Sequence, residues 1–124
     1  MIILHCLLES TWNTYKNKDL YGENYMNTDG FIHCSDIYTF HGVAPNFKNI
    51  TEPMVLLCID TEKVNPTVKW EDLYNEGTEY PHIYGMLNLD AVIDVLPFLR
   101  DENNDLLLNF KLQQILFEWI KQKL

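Results

Sequence analysis

Arginine is almost absent from this chain of 124 residues: Arg100 supplies the one guanidinium, and the lysines at 16, 18, 48, 63, 69, 111, 121 and 123 form no stripe. Binding an extended polyanion depends on releasing counterions from clustered Lys and Arg. With Asp+Glu outnumbering Lys+Arg by 18 to 9 and a formal charge of −9, the surface repels phosphate backbones, so extended nucleic acid is excluded as a partner. Long hydrophobic runs are missing as well. No apolar stretch reaches the roughly 18 residues of a membrane-spanning helix, and 2–8 is too short and too polar in its flanks for a signal peptide. Cysteine is sparse and odd in number. Cys6, Cys34 and Cys58 sit in LHCLL, FIHCS and LLCID, where a reduced thiol behaves as a small buried hydrophobe. With no CxxC pair, unpaired thiols in a reducing, cytoplasmic compartment are expected.

What is present is a hydrophobic fraction of 47%, enough for one compact acidic domain. A chain of this length buries roughly two-thirds of its unfolded surface and needs neither disulfide, metal nor cofactor to fold. Ile2–Leu8 reads as a strand running into a helix capped by Ser10 or Thr11, with Trp12 and Tyr15 on one side, ending near Asp19. The Tyr-, Gly-, Asn- and Asp-rich stretch 20–30 reads as a loop, and 31–35 as a strand. Ser35-Asp36 opens a helical segment that Gly42 and Pro45 break into short pieces. Six apolar residues without alternation, 54–59, indicate a central strand covered on both faces. Alternation at 68–72 puts Val68 and Trp70 on one face and Lys69 and Glu71 on the other; after an acidic turn at 75–79, strands at 80–85 and 91–99 bring the set to about six. The class is α+β with a mixed or mainly antiparallel split sheet. Leu108, Leu112, Ile115, Leu116, Trp119 and Ile120 then share one helical stripe capped by Asn104 or Asp105, which packs on the sheet or serves self-association.

Polar groups set inside apolar strands need a reason, because an unsatisfied buried imidazole costs about 1–3 kcal/mol. His5, His33 and His82 are such groups, whereas His41, beside Gly42, reads as a surface residue. Alternation places each of the three on the polar face of its strand, so their rings should converge on one pocket with Ser35 and Tyr84 on its wall. Zinc is not expected: His5-Cys6 and His33-Cys34 are sequential, so each pair diverges, and no structural-zinc spacing occurs. The apolar setting of Cys34 argues against a reactive thiolate.

The blocks Ile3-Leu4-His5, Gly30-Phe31-Ile32-His33-Cys34-Ser35, 55–60, Val68-Lys69-Trp70-Glu71 and Tyr80-Pro81-His82-Ile83-Tyr84-Gly85-Met86-Leu87-Asn88, followed by Ala91-Val92, resemble the uncharacterised bacterial domain of unknown function 952 family over residues 1–99. Residues 100–124 look like an added amphipathic helix. That family is similar in fold to ADP-ribosyltransferases, in which two small antiparallel sheets splay apart around NAD. The likeness implies a His-lined cleft for NAD or a related nucleotide, with His5, His33, His82 and Glu71 in catalytic positions and Ser35, Lys69, Tyr84 and Asn88 against the ligand. Glu79 is a second candidate for the carboxylate. Neither glutamate lies in a recognisable transferase motif, and a single arginine does not suit a phosphotransferase. Two readings follow: an ADP-ribosyl transferase-like enzyme, and a small-molecule binding module without turnover.

Overall fold

The computed structural model describes residues 1–104, 106, 107 and 110–123, and in the C-terminal helix the side chains of Leu112, Gln113, Gln114, Phe117, Glu118, Lys121 and Gln122. It is an α+β fold in which, among the described residues, every strand pairing is antiparallel. The first sheet has the order β1-β4-β8, from Ile2–Leu8, Met54–Asp60 and Val92–Pro97. Its central strand is the unbroken apolar run, and the pleat explains why it lacks alternation. Val55, Leu57 and Ile59 face one core with Ile3, Leu7, Ile32, Ile83 and Leu87, while Met54, Leu56 and Cys58 face a second with Leu4, Phe40, Leu96 and Leu112. Leu112, from helix α4 (Phe110–Lys123), is fully buried in that second core.

The second sheet has the order β3-β6-β5, from Ile32–His33, Tyr80–Tyr84 and Thr67–Glu71. Its register sets His33 directly opposite His82, and His82 opposite Lys69. Among the described residues one isolated bridge joins the sheets: the Leu4 N–H donates to the Ser35 carbonyl at 2.6 Å and the Ser35 N–H to the Leu4 carbonyl at 2.8 Å. Small pairings add β2 (Leu20–Tyr21) to β7 (Leu87–Asn88) and β9 (Leu99–Arg100) to β10 (Leu106–Leu107).

Several local expectations are corrected. Helix α1 (Glu9–Tyr15) starts directly from β1 without a side-chain cap from Ser10 or Thr11, because the Glu9 N–H is taken by the Pro53 carbonyl; it ends at Tyr15, short of Asp19. The stretch 20–30 is not a loop throughout: besides β2 it holds helix α2 (Glu23–Thr28), entered through Gly22 at φ 116°. Strand β3 spans two residues rather than five, with Ser35 held by its bridge. Asp36 does not open a helix. Its Oδ1 accepts from the Tyr38 and Thr39 N–H groups, forming a turn, and α3 (Phe40–Val43) follows, running into a 3-10 turn over Ala44–Phe47 with Pro45 near its start. The stretch 91–99 divides into β8 and β9, and Trp70 is 37% exposed. Asn104 does not cap α4; it lies at φ 64° with its amide on the Lys48 carbonyl. Asp105 and Leu108 lie outside the described residues, as do the side chains of Ile115, Leu116, Trp119 and Ile120. Among the described residues no helix is long and apolar enough to cross a membrane.

Candidate functional site

Where the two sheets meet there is a cavity of about 520 Å³. Strand β1 contributes His5, the stretch after β3 contributes Ser35, and β3 and β6 contribute His33, Tyr80 and His82, while Tyr25 comes from α2. Val43, Asn46 and Phe47 from the broken helix close another wall, and Tyr74 and Glu76 stand on the β5–β6 turn. The volume suits a small organic ligand.

The three histidines are in three different conditions. His5 is buried, its Nδ1 is 2.7 Å from the His33 carbonyl and its Nε2 is 2.8 Å from the Tyr21 hydroxyl. A carbonyl only accepts, so Nδ1 carries the hydrogen. Burial pulls the ring's pKa down from 6.5 to about 4, against the pull of the His33 carbonyl, so at neutral pH Nε2 is a lone pair and Tyr21 donates to it. His5 therefore lines the cavity with both nitrogens already spent inside the protein, contrary to the free, cleft-facing ring that strand alternation suggests. His33 is the open one: its ring is 40% exposed and its Nε2 is 2.9 Å from Asp29 Oδ2. His82 is 3% exposed, with Nδ1 3.1 Å from Glu71 Oε1. The His33 and His82 rings lie 5.8 Å apart, edge to face, with Phe31 packed against both at 4.6 and 4.5 Å.

The other anticipated residues divide. Ser35 is on the cavity wall; both its backbone groups are bonded to Leu4, yet its buried Oγ has no hydrogen-bond partner among the described residues. Glu71 and Tyr84 stand behind His82, outside the cavity lining. The Tyr84 hydroxyl donates to the same Glu71 oxygen that His82 uses. These two bonds hold the Glu71 carboxyl below its usual range, and its own bond to Glu71 pushes the Tyr84 phenol up. Lys69 lies over the Tyr84 ring, 5.1 Å from its centre, away from the cavity. Asn88 is also elsewhere: its amide holds the Lys63 carbonyl, the Asn65 N–H and the Asp90 carboxylate.

Tyr21 and Tyr25 carry no sequence motif, and their importance comes from the β2–β7 pairing and from α2. Tyr25 packs edge-on against His5, with ring centres 5.4 Å apart, and 6.1 Å from His33. Burial pushes both phenols up. It also pushes the Cys6 thiol up to about 12 and raises Cys34, so the two thiols at the cavity are protonated and inert; Cys6, Cys34 and Cys58 are thiols not joined in a disulfide. Among the described residues no group of three or more His, Cys, Asp and Glu is placed to hold a metal ion.

A family model described as "Protein of unknown function (DUF952)" matches residues 6–95. Among solved structures, the crystal structure of protein CC0527 from Caulobacter crescentus, a structural-genomics target, is 25% identical, with a TM-score of 0.77 over 91% of this chain and 99% of that one. The solution structure of the same protein is similar at a TM-score of 0.69, covering 84% and 90% of the two chains. No curated protein matches the chain.

Proposed function

We propose that this chain, which belongs to the DUF952 family of proteins of unknown function, uses the cavity between its two sheets to bind a small, phosphate-free organic molecule without turnover. The observation that carries this reading is Ser35, a residue of the cavity wall whose buried hydroxyl has no partner among the described residues. Leaving a buried hydroxyl unmatched costs about 1–3 kcal/mol, a cost that a ligand offering the missing bond would remove. Around it, the rings of His33, His82, Tyr25, Tyr80 and Phe47 suit a flat, partly apolar body.

The resemblance to ADP-ribosyltransferases would put NAD here, and the meeting of two antiparallel sheets at the cavity is in keeping with that idea. The charges are not. Among the described residues no Lys or Arg lines the cavity, and Glu76 adds a negative charge. Arg100 is held by the Phe47 and Ile50 carbonyls, so a pyrophosphate would enter without a counter-charge. The carboxylate that a transferase requires is not offered by Glu71, whose Oε1 already accepts from His82 and Tyr84. These observations favour the binding module and a ligand of the nicotinamide or nucleoside kind.

Titration calorimetry of the full chain with nicotinamide, adenosine, ADP-ribose and NAD tests this. Nicotinamide or adenosine should bind, NAD and ADP-ribose no more tightly, and Ser35→Ala should weaken binding about 10-fold, the worth of one hydrogen bond. Absence of binding by all four overturns the reading. Tight binding of NAD with release of nicotinamide overturns it in favour of a transferase.

A further inference from the structure

His82 occupies the middle of the second sheet, paired with His33 on one side and Lys69 on the other. Its ring is held from three directions: Phe31 lies 4.5 Å away centre to centre, His33 meets it edge to face, and Glu71 takes Nδ1. Glu71 Oε1 also accepts the Tyr84 hydroxyl, so the carboxylate is itself pinned by a second donor. An ionised carboxylate can only accept, which requires the hydrogen on His82 to sit at Nδ1. In the neutral ring the lone pair is then at Nε2, and no described residue is bonded to that atom although the ring lines the cavity.

We propose that Glu71 and Tyr84 are positioning residues that lock His82 into the tautomer whose Nε2 accepts, so that the cavity selects ligands bearing an N–H or O–H donor on a planar edge. This rests on the reading of the cavity as a binding site and names the chemistry it prefers. A primary carboxamide, a lactam or a ring N–H fits; the same scaffold with that nitrogen alkylated does not. Ser35 lies just beyond the end of β3, bridged to Leu4, and lines the same cavity as His82, so a donor from its hydroxyl to the carbonyl of the same amide belongs to this proposal. An alkylated nitrogen would leave Nε2 buried and unmatched, the kind of mismatch that polar sites discriminate against most strongly.

The test uses the full chain with 15N-labelled histidine, and long-range proton–nitrogen NMR to assign which His82 nitrogen carries hydrogen. Wild type should show Nδ1 protonated and Nε2 bare. Glu71→Leu should mix or reverse the tautomers, whereas Glu71→Gln, whose amide oxygen still accepts, should preserve them. In parallel, wild type should bind nicotinamide about 10-fold more tightly than N,N-dimethylnicotinamide, Glu71→Gln should keep that preference and Glu71→Leu should lose it. Protonation at Nε2 in wild type, or a preference and tautomer that both survive Glu71→Leu, overturns the assignment. If neither compound binds, the binding reading falls, while the tautomer measurement still decides what Glu71 does to His82.

Discussion

His5 makes folding sensitive to pH in a way that one substitution isolates. The ring is buried and uncharged, donating from Nδ1 to the His33 carbonyl and accepting from Tyr21 at Nε2. Its pKa is about 4 in the folded chain and 6.5 when free, chiefly because burial disfavours the cation. Above pH 6.5 the ring is neutral whether the chain is folded or not, and His5 adds nothing to the pH dependence. Between 6.5 and 4 the unfolded chain holds the extra proton, so stability falls as the pH falls, and below about 4 the loss is complete. At about 1.4 kcal/mol for each pH unit the full loss is about 3 kcal/mol, of which about 2 kcal/mol arises between pH 7 and pH 5. Gln at position 5 carries an amide that can donate to the same carbonyl and accept from the same hydroxyl without titrating. Urea unfolding followed by tryptophan fluorescence, at pH 7 and pH 5, should show wild type losing about 2 kcal/mol more than His5→Gln. Equal losses in the two chains would refute the buried, neutral assignment.

Ser35→Ala should leave the unliganded protein as stable or up to about 1–3 kcal/mol more stable, since it deletes a hydroxyl that has no partner among the described residues; a clear fall in thermal unfolding temperature would show that the partner exists. Leu57→Ala, at the fully buried centre of β4 and paired with both His5 and Val95, should cost about 2–5 kcal/mol in urea unfolding, and a change under 1 kcal/mol would contradict the two-sided core. Gly22→Ala should cost about 1–3 kcal/mol by the same measurement, because the residue sits at φ 116° and a Cβ would come within 2.6 Å of Ile32 Cδ1. Iodoacetamide at pH 8 should label Cys6 and Cys34 far more slowly in the native chain than in urea, as burial of both thiols requires; equal rates by mass spectrometry would count against it.

The parts of the fold that could be read from the sequence are those whose pattern is local and long. The unbroken apolar run at 54–59 marks a strand covered on both sides because only two opposed cores can bury consecutive residues of a pleated chain. The short elements could not be read in this way. Leu20 and Tyr21 become a strand only because Asn88 and Leu87 arrive beside them from a distant part of the chain. Helix α2 buries no residue completely, so it carries no core stripe to betray it. The start of α1 depends on the Pro53 carbonyl, a tertiary partner that no capping pattern in 9–12 announces.

The site shows the same division, and its physical cause is the competition for each polar atom. Strand alternation brings His33 and His82 together because the β3–β6 register makes them direct neighbours. It cannot tell that Tyr21 will reach His5, since Tyr21 is placed by the β2–β7 pairing, so His5 resembles a ligand-facing imidazole until its second nitrogen is found occupied. Asn88 follows His5: a polar residue in a promising block whose amide is consumed by the chain around it. Ser35 is the opposite case. In sequence it ends a strand, opens a helix and sits on the pocket wall; in the fold its backbone is taken by Leu4, the helix starts later, and among the described residues nothing bonds its buried hydroxyl. The residue type is thus a weaker guide than whether the chain supplies the partner. By that criterion His82 Nε2 and Ser35 Oγ, rather than His5, are the atoms that the proposed ligand would engage.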